Sequence, residues 1–389
     1  MRSVTTSLSG RRRALGLSLV EILVGVAIGL IGIVAIFQAI AVWSKHTATT
    51  SSGSDAQVAG TLALFNVERD LKQAGHGFGR AASAVMGCDV ALTDTAPVRA
   101  FNFGLRPAEI AASAGGAPDE LRVLYGNSSF YVEEAGFTDA TASTKKLRRR
   151  GGFKPGDLAV VAVNPGASAA TATCQLIQIT DDSDPDGYTV AHATTPFVSY
   201  YAASSPASAS RFNNATLPGA ATGTIYNLGP QPRLDRWYVQ PNVGLVREDL
   251  IGGGPATPVG EGVINFKAEY GIDADGNGVI DATEWHASAP AGNDWRQLLA
   301  MRVAILVRSR QFERNRDAGA ASGVKAVTPD AANPYYFGDP SNKFLMTNVD
   351  GSPDSFGDTD GVPNNWRFYR YRVYERVIPL RNMLWGQWG

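Results

Sequence analysis

The sequence predicts an α+β chain: a long N-terminal helix, apolar in its first half and amphipathic in its second, packed on a large β-rich globular head. Three observations predict it. Between Leu17 and Trp43 the only polar side chains are Ser18, Glu21 and Gln38, and the run Arg11-Arg12-Arg13 stands just before. Further on, Val58, Leu62 and Phe65 recur at helical spacing beside a second apolar row, Leu64, Val67 and Leu71. Beyond Gly79, short segments alternate apolar and polar residues with a period of two, with Gly, Pro, Ser and Asp between them.

The first half of the helix is long enough to cross a hydrocarbon core of about 30 Å. The arginines before it should stay cytoplasmic, which exports the bulk of the chain. Glu21 breaks the pattern, because a carboxylate near the head of a membrane helix costs roughly 2.5 kcal/mol or more without a partner. Cleavage after Gly16 would supply one: the new amine at Leu17 would lie one helical turn from Glu21. Two other readings stay open at this point, a plain signal anchor with Glu21 reaching the interface and a secretory signal peptide cut after Ala39-Ile40-Ala41. The second leaves Glu21 unexplained and needs an apolar run longer than the ~7–15 residues usual in such peptides. Gly25 and Gly29 form a small-xxx-small face that lets helices approach closely.

A basic leader, Gly16, Leu17, Ser18-Leu19-Val20, Glu21 and an uninterrupted apolar run together resemble the type IV prepilin signal, with leucine where that family usually carries phenylalanine. The resemblance implies cleavage between Gly16 and Leu17 by prepilin peptidase, methylation of the Leu17 amine, and pairing of Glu21 with the terminal amine of a neighbouring subunit. It divides the chain into a leader, 1–16; an N-terminal helix, 17–78, with its transmembrane half at 17–43; and a periplasmic or extracellular head, 79–389. Arg69 to Gly75, Met301 to Ser309 and the tail from Arg367 to Leu380-Arg381-Asn382 resemble minor pilins of the PilW type. That implies a pilin-like fold, residence in the inner membrane and then in the pilus at the cell surface, and a part in pilus assembly, at the priming or tip complex, with links to cell adhesion and twitching motility. The implied partners are other minor pilins, the major pilin and a tip adhesin. A type II secretion pseudopilin shares the signal and the large-head plan. A membrane-anchored exported hydrolase is the alternative of a different class.

The chain has 389 residues and a net charge of −1, and loss of Arg2, Arg11, Arg12 and Arg13 with the leader lowers that by four, to −5. That balance argues against a general nucleic-acid binder, and no nucleic-acid partner is expected. An exported chain meets an oxidising compartment, so a Cys88–Cys174 disulfide is the default, with two separate buried thiols as the alternative. Closing so long a loop would stabilise by about 4 kcal/mol in the chain-entropy model.

In chain order, Lys45 to Asp55 is rich in Thr, Ser and Gly and is expected to loosen or break the helix, with Ser54 capping a second helix over Asp55–Ala74. Gly75-His76-Gly77-Phe78-Gly79 ends it. Strands are expected over Glu120–Tyr125, Ser129–Glu133, Asp157–Val163, Cys174–Thr180, Tyr188–His192, Arg236–Gln240, Val243–Glu248, Val263–Ile272, Gln297–Ser309 and Trp366–Ile378. Tyr238 to Val246 reads as a hairpin. Ala202–Thr224 and Asp317–Asn333 read as low-complexity loops.

One stretch carries metal chemistry. Asp273, Asp275, Asn277, Asp281 and Glu284 place oxygen ligands at positions 1, 3, 5, 9 and 12 of a calcium loop, with Gly278 at 6 and the Val279 carbonyl at 7. Ile280 is the apolar residue that would pin it to a neighbour. The preceding segment reads as strand, so this is a calcium loop outside the helix-loop-helix hand, and its role would be structural. An Asp/Asn/Gly turn held by its own side chains is the competing reading. Asp182 to Gly187 and Asp350 to Gly361 are acidic turns without the full pattern. Lys145-Lys146-Leu147-Arg148-Arg149-Arg150 reads as a solvated basic loop. There is no Gly-x-Ser-x-Gly, phosphate-binding loop or His-Glu-x-x-His, and the chain is expected not to be an enzyme.

Overall fold

The computed structural model describes residues 18–129, 134–150, 152–163, 173–181, 187–202, 204–214, 222–291, 294–314, 325–328 and 333–387. The chain falls into two compact units, Met1–Ser52 and Gly53–Gly389. Helix α1 (Leu19–Gln73) is continuous. The break expected at Lys45–Asp55 does not occur, and Ser54 is an interior residue rather than an N-cap. Threonine hydroxyls that bond back one turn fit inside a helix: Thr47 donates to the Trp43 carbonyl at 3.0 Å and Thr61 to the Gln57 carbonyl at 2.9 Å. A lone glycine such as Gly53 costs only about 1 kcal/mol against alanine. In the first unit, Leu19 to Ser44 is long and apolar enough to cross a membrane.

In the second unit the strands are β1 (Asp89–Thr95), β2 (Val98–Gly104), β3 (Ala108–Ala111), β4 (Glu120–Tyr125), β5 (Ala135–Ala140), β6 (Thr144–Leu147), β7 (Leu158–Val163), β8 (Thr173–Gln178), β9 (Thr189–Ala191) and β10 (Gly223–Gly229). Then come β11 (Arg233–Gln240), β12 (Gly244–Asp249), β13 (Thr257–Gly260), β14 (Val263–Ile272), β15 (Trp285–His286), β16 (Leu298–Arg308), β17 (Tyr371–Pro379) and a short helix α2 (Arg381–Gln387). They form an eight-stranded sheet, β2-β1-β8-β7-β10-β5-β6-β9; a five-stranded sheet, β13-β12-β11-β4-β3; and a four-stranded sheet, β15-β14-β16-β17. The fold is α+β, as expected. The hairpin is β11–β12, turning at Pro241-Asn242-Val243. Cys88 and Cys174 are disulfide-bonded, with Cα atoms 6.1 Å apart. The bridge ties the entry to β1 onto β8, its parallel neighbour.

Two further expectations change. Trp366–Phe368 is a 3₁₀ turn, and the last strand starts only at Tyr371. The basic stretch is not a loop at its start: Thr144–Leu147 is β6, and Lys145 is buried. Of the Ser129–Glu133 strand, residues 130–133 lie outside the described residues, as do residues 203, 215–221, 317–324 and 329–332 of the low-complexity stretches.

The core explains why β7 and β16 read as almost unbroken apolar runs. Met301, Val303, Ile305 and Val307 of β16 join the main cluster that contains Ala63, Leu64, Val67 and Leu71 of α1, whereas Ala304 and Leu306 pack with Phe344, Met346 and Trp366. Likewise Leu158, Val160 and Ala162 of β7 face the main cluster, and Ala159, Val161 and Val163 face Phe137, Phe153 and Ile177. A strand covered on both faces loses its alternation. The helix lies close on β16 and β17: a Cβ at Gly60 would meet the Tyr374 ring at 2.5 Å.

A buried acid pair marks the junction of helix and five-stranded sheet. Asp70 of α1 and Asp235 of β11 are fully buried. Tyr125 donates its hydroxyl to Asp235 at 2.7 Å, Arg233 donates to it at 2.7 Å, and Arg69 and Arg247 lie 3.3 and 3.7 Å from Asp70. Burial, and then the Asp235 charge, push the Asp70 carboxyl up to about 6. An unfolded aspartate releases its proton near pH 3.9, so between the two values the folded chain binds more protons. The stabilisation from Asp70 is full below the unfolded value and is lost as pH rises through about 6. Thermal melts of the full chain and of Asp70→Asn, which keeps a neutral donor, should therefore diverge: the variant gains on the wild type as pH rises from about 4 to about 7. A constant difference across that range would show that Asp70 is ionised throughout.

Candidate functional site

Glu21 lies in the first turn of α1 and is exposed, its N–H bonded to the Ser18 carbonyl at 3.0 Å. Gly16 and Leu17 lie outside the described residues. A Cβ placed on Gly25 or Gly29 meets nothing within 4 Å, so that face is open.

The amphipathic half of the helix divides its two rows differently from the expectation that both serve the head. Leu64, Val67 and Leu71 are buried, at 6%, 0% and 0% exposure, but Val58, Leu62 and Phe65 stand at 64%, 52% and 58%. Polar contacts on the flanks fix this rotation. Arg376 pairs with Glu68, and Arg372 donates to the Gln57 carboxamide at 3.0 Å, while Arg247 approaches Asp70 from β12. The end of the helix is held by the chain's own tail. The Asn382 carboxamide donates to the carbonyls of Gln73 and Ala74, each at 3.0 Å; Gln73 also accepts the His76 N–H at 3.0 Å, and Ala74 is the helix-end acceptor that the last turn does not satisfy.

The Asp273–Glu284 loop joins β14 to β15. Carboxylate oxygens of Asp273, Asp275 and Glu284 lie within 4.8 Å of one another. Asp273 accepts from the N–H groups of Asn277 and Gly278 at 3.0 and 2.9 Å. Glu284 accepts from Ala274 and Asp281 at 2.9 and 3.1 Å, which holds its carboxylate across the loop. Gly278 has φ +80, a conformation that β-carbon sterics disfavour, and this is the sharp turn that position 6 demands. Asn277 reaches the group through Asp275, at 2.8 Å. Asp281 stands outside it, with Oδ1 taken by the Thr283 N–H and hydroxyl at 2.7 Å. Val279 is exposed and Ile280 half-buried. The donors that converge are oxygens alone, the chemistry of a hard divalent cation. Among the described residues no such group forms in Asp350–Gly361; there Asp350 accepts from Ser352 and Asp354 pairs with Arg367. Residues 182–186 of the other acidic turn lie outside the described residues.

Lys145 is the part of the basic run that turns inward. Its ammonium lies 2.9 Å from His192 Nε2 and donates to the Thr141 carbonyl at 2.9 Å. Burial pulls the lysine down to about 8 and the histidine to about 4.

The described residues thus form a long N-terminal helix, apolar and then amphipathic, with one row of its second half buried on a head of three sheets. Residues 236–382 match the family model PilW, Type IV Pilus-assembly protein W, which supports a PilW-type pilus protein with a part in type IV pilus assembly. No curated protein and no solved structure matches the chain. The matched region runs from β11 through the whole four-stranded sheet, includes the Asp273–Glu284 loop, and ends on Asn382.

Sequence reasoning found the Leu-Arg-Asn ending but gave Asn382 no task, and it missed the Asp70–Asp235 pair. An acid on the inner flank of a predicted amphipathic helix was the available signal for the latter. Replacing Asn382 with alanine should cost about 1 kcal/mol by leaving the Ala74 carbonyl without a donor, while Gln73 keeps the His76 N–H. Replacing it with serine, which is shorter, should recover little. Denaturant melts of the full chain in detergent measure both; an unchanged midpoint in Asn382→Ala would remove the cap.

Proposed function

We propose that this chain is a minor pilin. It is cleaved between Gly16 and Leu17 by prepilin peptidase, methylated on the Leu17 amine, and carried into the pilus with its head on the periplasmic and then the outer side of the inner membrane. Its task is assembly rather than catalysis. Its partners are other minor pilins, the major pilin and a tip adhesin, and Glu21 pairs with a neighbour's terminal amine. What carries this reading is the row Val58, Leu62 and Phe65, exposed at 52–64% on a helix whose opposite row is buried. A helix that served only its own head would show water a polar face. An apolar row left over is what packing against further helices requires. In the full-length chain, Leu62→Glu with Phe65→Glu should leave the fold of the purified subunit intact, because neither side chain is in the core. It should, however, remove the protein from sheared pili. Mass spectrometry of the wild-type membrane fraction should find N-methylated Leu17 at the amino terminus. Normal incorporation of the double variant, or a terminus still at Met1, would overturn the reading. Loss of protein secretion with pili intact would point instead to a secretion pseudopilin.

The second part of the proposal is a structural calcium ion held by Asp273, Asp275, Asn277, the Val279 carbonyl, Asp281 and Glu284. The converging carboxylates support it. Titration calorimetry of the full chain should give calcium heat that disappears in Asp273→Ala/Glu284→Ala. Calcium at 100 times its dissociation constant should stabilise the wild type alone by about 2.7 kcal/mol. No heat in the wild type, or equal heat in the variant, removes the ion.

A further inference from the structure

Strand β17 closes one side of the four-stranded sheet, and among the described residues β16 is its one partner. The direction of its main-chain groups follows from the ends of that pairing. Leu380 donates its N–H to the Leu299 carbonyl, and Ser309 donates to the Arg370 carbonyl, both at 2.8 Å. Between them the register is unbroken, from Ala300 opposite Pro379 to Arg308 opposite Tyr371. Bonded and non-bonded pairs alternate in an antiparallel ladder. Arg372, Tyr374, Arg376 and Ile378 therefore turn their N–H and C=O groups to β16, and Tyr371, Val373, Glu375 and Val377 turn theirs away. Among the described residues no backbone group bonds those four outward positions.

Among the described residues no strand pairs with this edge; Tyr371 and Val373 are half-buried, and Glu375 and Val377 are exposed. Val377 is 57% exposed. Beside Val373 and Glu375 lies a cavity of about 780 Å³, walled on its far side by the segment that carries Tyr335 and Lys343. The Glu375 carboxylate is turned aside and accepts the Phe337 N–H at 2.5 Å, so it does not guard the edge. Lys343 is exposed and has no acidic partner among the described residues. Four outward positions span about 20 Å, the length of an ordinary strand.

We infer that the β17 edge accepts an extended, acidic segment of a separate polypeptide as an added strand. The outward N–H and C=O groups supply the ladder. Val373 and Tyr335 meet alternate apolar side chains, and Lys343 meets a carboxylate. Recognition of this kind takes affinity from the main chain and selectivity from alternate side chains. The charge of the edge argues against a second copy as occupant: two β17 strands laid side by side would bring Arg372, Arg376 and Lys343 of both chains together, and like charges across strands repel. The inference rests on the head alone, so it stands or falls separately from the helix-packing reading.

The test is residue-resolved hydrogen exchange on the full chain in detergent, with the acetylated and amidated peptide Thr-Val-Asp-Val-Glu-Val-Thr as probe. The peptide should slow exchange at Val373, Glu375 and Val377 by about tenfold or more and leave Tyr374 and Arg376 unchanged. Val377→Pro deletes one outward N–H at a register that already tolerates Pro379, and proline is accepted on edges where the N–H faces water. It should weaken peptide binding by about tenfold, while Val377→Thr binds as the wild type and both variants melt as the wild type does. Lys343→Glu should reverse the preference towards a peptide with lysines in place of the acids. The inference is overturned if the outward amides are unaffected by the peptide, if Val377→Pro binds as tightly as Val377→Thr, or if those amides become protected on raising the protein concentration alone, which would make a second copy the occupant.

Discussion

The burial of one row of α1 is the interaction on which the head depends. Ala63, Leu64, Val67 and Leu71 sit in the same cluster as the inner residues of β16, the hairpin strands β11 and β12, and the start of the tail. Each buried leucine or valine of that row is worth about 1.5–3 kcal/mol of removal from water. No other element supplies a comparable apolar stripe to all of these strands. The close approach at Gly60 belongs to the same constraint: the Tyr374 ring occupies the space a side chain would need. The end of the helix is engaged as well, with the Gly75 N–H bonded to the Leu124 carbonyl of β4 at 3.0 Å.

Apolar burial alone leaves a helix free to roll, because dispersion and hydrophobic contact carry little direction. The flanking polar contacts supply it. Glu68 and Gln57 are tied to β17, and Asp70 is tied on the opposite flank to β11 and β12. The exposed row is therefore not slack in the packing. Rolling the helix to bury Phe65 would pull Asp70 out of its arginine contacts and Glu68 away from Arg376. The fold accepts a cost in exposed apolar surface and in one buried carboxyl held well above its ordinary range, and in return it presents Val58, Leu62 and Phe65 in a fixed direction.

The strands with one clear alternation, or with apolar runs bounded by turns, were legible: β4, β7, β8, β9, β11, β12, β14, β16 and, from Tyr371, β17. Those missed had inward polar residues that spoiled the period. In β1 the inward residues are Val90, Leu92 and Asp94, and Asp94 is buried because Arg211 and Arg99 meet it at 2.7 and 3.1 Å. In β6 the inward residue is Lys145. In β10 it is Asn227, which donates to Asp157 at 2.9 Å. The pattern of β14 was read correctly, yet its polar side is also covered: Lys267 is buried on Asp119 at 2.6 Å and Asn265 donates to the Gly116 carbonyl at 2.8 Å. Long-range partners of this kind cannot be inferred from spacing, because, Arg99 apart, they come from segments 70 to 149 residues away. The convergence of Asp273, Asp275 and Glu284 was legible because these residues are local, and for the same reason the Asn382 cap, which joins the tail to the end of α1, was not.

The four-stranded sheet shows how these demands are shared. A sheet has two faces and two edges. One face of β16 carries α1, and the other is closed by Phe344, Met346 and Trp366. That leaves the edges, where unpaired main-chain groups must be covered, blunted or used. One edge is cut to two residues, β15, and the loop before it is stitched to its neighbours by the Ile272 N–H on the Glu284 carbonyl at 3.0 Å and the Asp273 N–H on the Gln297 carbonyl at 2.9 Å. A cation held by Asp273 and Glu284 would tighten the same two joints, so its effect would reach β14 and, through β16, the seat of the helix. The opposite edge, β17, is not cut short: it runs nine residues, with exposed Arg372 and Arg376 and a terminal proline as its only guards among the described residues. An exposed edge of that length invites pairing with other chains, and most folds shorten or charge it. Its retention here, beside a cavity and an unpaired lysine, is what a surface meant to be completed by a partner requires.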